Sequence, residues 1–115
     1  MDIDITERTF DFAVRITQLC QALDESPGVP RTLANQLLRS GTSIGANMEE
    51  AQAAQSKPDF ISKLSISCKE ARETLYWLRL LIATDIIPEA KLSPLRNEAN
   101  ELVAILTTII KKSRA

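Results

Sequence analysis

Four carboxylates, Glu49, Glu50, Glu70 and Glu73, fall on two helical stretches that a small bundle would bring side by side. Glutamates facing inward from adjacent helices are how helical bundles hold a pair of metal ions, but that site also needs a Glu-x-x-His pair from each of two helices. The chain has no histidine. The same absence removes the commonest general base and the side chain that changes charge near neutral pH without help. Serine and cysteine then lack an imidazole to activate them, helical ribonucleases of the Arg-x-His type are excluded, and the three glycines form no phosphate-cradling loop. Cys20 and Cys68 stand alone, with no second cysteine near either, and are expected to behave as small buried hydrophobes. The expectation is a non-enzymatic protein with no catalytic residue, metal ligand or cofactor. Glu50 should instead pair with Arg39 or accept from Ser43 or Asn47, so that Arg39, Ser43, Asn47 and Glu50 form a polar cluster that fixes helix register.

The elements that position these residues follow from where glycine and proline fall. With 115 residues, 44% hydrophobic and 25% charged, the composition is that of one ordinary globular domain able to bury a real core. The acidic start, Met1 to Asp4, lacks the basic and apolar stretches of an export signal, and the longest apolar runs are far short of the ~20 residues of a membrane span. A cytoplasmic location with no membrane partner is expected. Breaker clusters divide the chain into helices over about 6–23, 32–55, 57–84 and 94–112. Their core stripes are Phe12, Ile16, Leu19 and Leu23; Leu33, Leu37, Gly41, Ile44, Met48 and Ala51; Phe60, Leu64, Ser67, Ala71, Thr74 or Leu75, Leu78 and Ile82; then Leu95, Ala99, Leu102, Leu106 and Ile109. Thr32, Ser56 and Ser93 with Pro94 are the expected helix starts. Small residues from Ser40 to Ala46 weaken the second helix by propensity, which implies close approach of a neighbouring helix. With no strand signal and short turns, the fold class is all-α, an antiparallel up-down four-helix bundle.

The third helix carries more than a core stripe. Ile66, Glu70, Glu73, Trp77 and Leu80 recur at spacings of four, three, four and three on the side away from Leu64, Ala71 and Leu78. A bundle helix normally hides one stripe, so a second one holding Trp77 is the expected interface of a homo-oligomer. Between the two stripes lies a flank of Lys69, Arg72, Tyr76 and Arg79, cations with an aromatic among them, which could contact phosphates and stack a base of RNA or DNA. Lys69 could equally pair with Glu73 along the helix. The overall charge of −1 hides an uneven distribution: residues 57–115 hold ten basic and seven acidic groups, residues 1–30 two and six. Nucleic-acid affinity would therefore have to come from gathering the basic flanks in an assembly.

Some of these residues are recognisable as well as readable. The stretch from Leu37 to Ala51, with Ser43, Ile44, Asn47 and Glu50 in a Ser-Ile-x-x-Asn-x-x-Glu arrangement, is followed by Asp59 to Leu64 and Lys69 to Leu78. Together these segments resemble the bacterial four-helix-bundle proteins encoded in intervening sequences of 23S ribosomal RNA genes, to which the accessory variability determinant of diversity-generating retroelements is similar. The resemblance implies a bundle assembled as a homo-oligomeric ring, typically a homopentamer, with no known enzymatic activity. In the retroelement relative the ring is basic and binds nucleic acid and a reverse transcriptase. The expected partners are therefore other copies of this chain, RNA or DNA, and another protein such as a reverse transcriptase. The competing expectation is a purely protein-binding scaffold.

Overall fold

A computed structural model describes residues 4–115. They form four helices, α1 (Ile5–Leu23), α2 (Val29–Gln52), α3 (Lys57–Ala83) and α4 (Glu89–Arg114), with no strand among the described residues. Each start has a local cause. The Asp4 carboxylate accepts from the Thr6 amide at 3.0 Å, and Ser56 Oγ accepts from the Asp59 amide at 3.1 Å, each satisfying an orphan donor of a first turn. α2 starts at Val29, not at the expected Thr32, because Pro30 opens the helix: in a first turn a missing amide hydrogen costs nothing. Gly28 supports this turn at φ 91°, a left-handed geometry that favours glycine. α2 also ends earlier than expected, at Gln52.

The start of α4 is the larger correction. It begins at Glu89, more than a turn before the expected Ser93 and Pro94, and Pro94 lies inside it. The carbonyl that Pro94 cannot satisfy belongs to exposed Ala90, where water can replace the missing bond. At the other end of the same turn, α3 closes with paired bonds from the Asp85 amide to Ile82 O, 3.0 Å, and from the Ile86 amide to Leu81 O, 3.1 Å. Asp85 stands at φ 58° between them, the left-handed stop that ends many helices.

The helices pack in chain order, α1 on α2, α2 on α3 and α3 on α4, while α1 and α4 touch over a much shorter stretch. The body measures 44 × 22 × 21 Å, close to the length of a single helix. Phe12, Ile16, Leu37, Ile44, Met48, Leu64, Leu78, Leu102 and Leu106 are fully buried at its centre. Where the expected stripes miss, they miss by one position. Leu19, Leu33, Ile82 and Ile109 are half-buried at the edges, and Cys20, Ala34, Leu81 and Ile110 beside them fill the interior. Phe60 is likewise half-buried, and of Thr74 and Leu75 it is Thr74 that is buried. A 100° step per residue leaves adjacent positions competing for the edge of a stripe, and the tighter space beside α2 takes the smaller or better-aimed side chain.

That tight space is what the small residues of α2 create. A Cβ on Gly41 would meet Ile16 Cγ2 at 2.7 Å, and one on Gly45 would meet the Thr9 carbonyl oxygen of α1 at 3.2 Å. On the other side, Ser67 Oγ of α3 donates to Ile44 O at 2.8 Å, and Thr74 Oγ1 donates to Ser40 Oγ at 2.9 Å. All four buried hydroxyl residues, Thr9, Ser40, Ser67 and Thr74, are hydrogen-bonded, so the close approach leaves no stranded polar group.

Candidate interaction surface

The second stripe of α3 is where the sequence places its strongest functional signal, and α2 turns out to supply its missing half. Arg39, on the edge of α2 nearest α3, donates from Nη1 to Glu70 Oε1 at 3.2 Å and from Nη2 to Glu73 Oε2. Glu70 and Glu73 are three residues apart on one face of α3, so one guanidinium fork spans both. Trp77, four residues on, donates its indole N–H to the same Glu73 Oε2 at 3.0 Å. The Tyr76 ring meets Trp77 edge-on, centroids 5.0 Å apart at 75°. Ile66 at 38% and Tyr76 at 54% stay exposed, whereas Glu70, Glu73, Trp77 and Leu80 are half-buried. Trp77 packs partly on its own core and partly outward.

This arrangement corrects two expected pairings. Glu73 is engaged by Arg39 and Trp77, so it does not pair with Lys69. Glu50 does not meet Arg39, Ser43 or Asn47; its partner is Lys63 of α3, at 2.9 Å. Glu50 lies eleven residues beyond Arg39, about 16 Å along the helix, too far for the two side chains to span. The remainder of the expected cluster is a ladder along one helix edge, with Ser43 Oγ donating to Arg39 O at 2.6 Å and Asn47 Nδ2 donating to Ser43 O at 2.8 Å. It faces outward beside the α3 stripe and does not link helices.

The flank of Lys69, Arg72, Tyr76 and Arg79 is exposed throughout, and its three cations have no ion-pair partner among the described residues. Cys68, at the inner edge of this flank, lies 3.6 Å from Thr107 Oγ1 on α4. Lys111 and Arg114 follow Thr107 by four and seven residues, so α4 extends the same side of the bundle with positive charge. Both cysteines are free and buried. Burial pushes the Cys20 thiol up to about 11, which leaves it protonated and a poor nucleophile at neutral pH. No helix among the described residues is long and apolar enough to cross a membrane.

A second surface escapes the reading of the sequence. Phe10 at 62% and Leu38 at 37% are exposed along the groove between α1 and α2, and Val14, at 40%, is exposed one turn after Phe10 on α1. Its signal is visible on a wheel of α1, where Phe10 and Val14 share a face turned well away from Phe12 and Ile16.

A family model for the 23S rRNA-intervening sequence protein matches residues 1–108. The chain belongs to that family. Among solved structures it is similar to a protein of unknown function from the S23 ribosomal protein family of Bacteroides thetaiotaomicron VPI-5482. The two are 44% identical and superpose with a TM-score of 0.87, over 94% of this chain and 99% of that one. No curated protein matches the chain. Family membership and the four-helix architecture thus agree with the resemblance carried by Leu37 to Ala51 and Lys69 to Leu78.

Proposed function

We propose that this member of the family is a non-enzymatic, self-assembling interaction protein of the cytoplasm, built as a ring, a homopentamer, with α3 as its contact helix. One observation carries the reading: the face holding Ile66, Trp77 and Leu80 has its two carboxylates bridged by Arg39, which cuts their net charge from −2 to −1. A face with two bare carboxylates would be expensive to cover, because an uncompensated buried charge costs several kcal/mol, roughly 3 to 5. Bridged by Arg39, and with Glu73 also accepting from Trp77, both carboxylates are hydrogen-bonded and the one remaining negative charge is spread over the pair. A partner surface therefore covers them at lower cost, while the apolar side chains around them gain by being covered. Light scattering should give a solution mass several-fold above the 12.8 kDa of one chain, and Trp77→Asp should lower it. A wild-type monomer overturns the reading.

Lys69, Arg72 and Arg79 support a second role for the assembled protein, binding of RNA or DNA. Free of carboxylate partners and set beside exposed Tyr76, they suit phosphate contact and base stacking. A ring would repeat these cations around its circumference, concentrating positive charge on one side even though each chain carries −1 in total. Binding of a labelled single-stranded RNA should fall steeply between 50 and 200 mM salt, roughly tenfold or more for a few phosphate contacts. Affinity that ignores salt, or no binding at low salt, removes this role and leaves a scaffold for protein partners, a reverse transcriptase being the kind of partner the resemblance suggests.

A further inference from the structure

The α3 stripe says what one copy offers but not what receives it. We infer that the receiving surface is the α1–α2 groove of a second copy, so that the contact runs head to tail between two different faces. This inference rests on the self-assembly reading above and names the partner of the same site.

Three features of the molecule support it. The first is that, apart from Val29 at the start of α2 and Val14 on α1, the apolar side chains open to solvent fall into two separate sets. Exposed Ile66 with half-buried Trp77 and Leu80 lie on the α2–α3 side, beside the Arg39 fork, whereas Phe10 and Leu38 lie on the α1–α2 side. A two-fold dimer would need only one self-complementary patch; two patches on different sides of one chain are what a head-to-tail contact requires.

The second is shape. The α3 stripe carries the large side chains Tyr76 and Trp77, with one smaller depression of about 160 Å³ beside Tyr76 and Leu80. It is the ridge, the more convex of the two faces, while the α1–α2 side is hollow, because Gly45 and its small neighbours leave no bulk above the helix contact. Two depressions of about 290 Å³ each follow that groove. One is walled by Phe10, Ala13, Thr42 and Ala46, and the other by Thr17, Ala34 and Leu38. The ridge fits the two larger hollows better than the single small one on its own copy. One full side of a body 44 × 22 × 21 Å also has room for the ~800 Å² per partner that a stable complex buries.

The third is charge. Arg79 borders Tyr76 and Leu80, and Lys69 lies on the same edge of the ridge; neither has a carboxylate partner among the described residues. The groove has the opposite sign at its rim. Glu49 lines the Phe10 depression and Glu7 stands one turn before Phe10, both exposed and both without a cation among the described residues. Ridge on ridge would set Lys69 and Arg79 against their own kind, and groove on groove would do the same to Glu7 and Glu49. Ridge in groove pairs them, and leaves Arg72, with Lys111 and Arg114 of α4, as the cations open to nucleic acid in the assembly. The two faces flank α2 on adjacent sides of the bundle, so each copy is rotated relative to the last, the geometry from which rings close.

The test uses one exposed position on each face, Phe10→Asp in the groove and Ile66→Asp on the ridge, with circular dichroism to show that each variant stays helical. Each variant alone should run as a monomer of 12.8 kDa, because a head-to-tail contact needs both faces. Mixed in equal amounts they should form a dimer and nothing larger, since the Phe10→Asp copy still offers an intact ridge to the intact groove of the Ile66→Asp copy. A charge exchange gives a second check: Glu49→Lys should weaken assembly at least severalfold, and adding Arg79→Glu should restore it. The pairing is overturned if folded Phe10→Asp assembles as the wild type does, or if the mixture stays monomeric. Neither result disturbs the self-assembly reading while the wild type remains oligomeric; a monomeric wild type removes both.

Discussion

The two sides of α1 hold it to the bundle in opposite ways. Toward α2 the contact is made by what is missing: Gly41 and Gly45 have no side chains, and Ile16 and the Thr9 backbone occupy the space. Toward α4 the contact is shorter and is bridged by charge. Arg8 Nε and Nη2 donate to the two oxygens of Glu98 at 2.6 and 2.8 Å, and Nη2 also reaches Glu101 Oε2 at 3.0 Å. The motif repeats the one at Arg39, an arginine fork on two glutamates three residues apart on the next helix. Yet Arg39 lies over a seam already closed by Ser67 and Thr74, whereas Arg8 spans one with few other contacts. Dispersion and exclusion of water act over a whole packed surface, and a fork acts at one point. The α1–α2 seam should therefore tolerate no added volume, and the α1–α4 seam should depend on one pair.

The glycine seam yields the largest expected effect. Gly41→Val places a branched side chain against fully buried Ile16, and overpacking of this kind should cost about 3 kcal/mol, well beyond the roughly 0.3 to 0.5 kcal/mol gained in helix propensity. Ile16→Ala alone should cost about 2 to 5 kcal/mol by leaving a cavity. Because the two substitutions fill and empty the same space, the double variant should be more stable than their sum by about 1 kcal/mol or more in urea unfolding. Strict additivity would mean that Ile16 is not what Gly41 makes room for.

Next in size is the contrast between the forks. Arg8→Ala should destabilise the fold by about 1 to 2 kcal/mol, since Arg8 and Glu98 have side chains only 25% and 17% exposed. Arg39 is 51% exposed, so Arg39→Ala should cost at most about 0.5 kcal/mol in the monomer. Its effect should appear in assembly, where loss of the guanidinium leaves Glu70 and Glu73 bare on the contact face. Equal losses of stability in the two variants would erase the difference between the seams.

The residues that were legible in the sequence and those that were not divide along the same line. Helix number and most core positions follow from periodicity and breakers within a single segment, as with Phe12, Ile16 and Leu23 or Leu102 and Leu106. The small-residue stretch of α2 even announced its close neighbour. What spacing along one helix could not give is which side chains meet across helices, because that depends on the antiparallel register. Arg39 reaches partners 31 and 34 residues away, and Arg8 partners 90 and 93 away. Glu50 looked like a partner for Arg39 only because both lie on α2. The prolines mislead for a different reason: Pro30 reads as part of the turn before a helix and Pro94 as the opening of one. A first turn has no use for the missing hydrogen, so Pro30 lies inside α2, and an exposed carbonyl can turn to water, so α4 runs through Pro94. Phe10 was passed over because its hydrophobicity suits a core that Phe12, two residues on, already fills.

The smallest expected effect isolates the charged seam by pH. The Arg8 guanidinium bonded to Glu98 holds that carboxyl below its ordinary value of 4.5, against the opposing effect of partial burial. A carboxyl with a lowered folded-state pKa adds stability that is complete above the unfolded value and is lost as pH falls from there through the folded value. Arg8, whose pKa is raised by the same pair, stays charged throughout and contributes no slope in acid. The unfolding free energy of the wild type should therefore fall from about pH 5 downward more steeply than that of Glu98→Gln, which cannot titrate. At neutral pH the two should differ by about 1 kcal/mol, and the difference should shrink as pH falls below the ordinary value of 4.5 through the lowered folded-state value and the wild-type carboxyl takes up its proton. Parallel acid limbs for wild type and Glu98→Gln would show that the α1–α4 seam is held by something other than its fork.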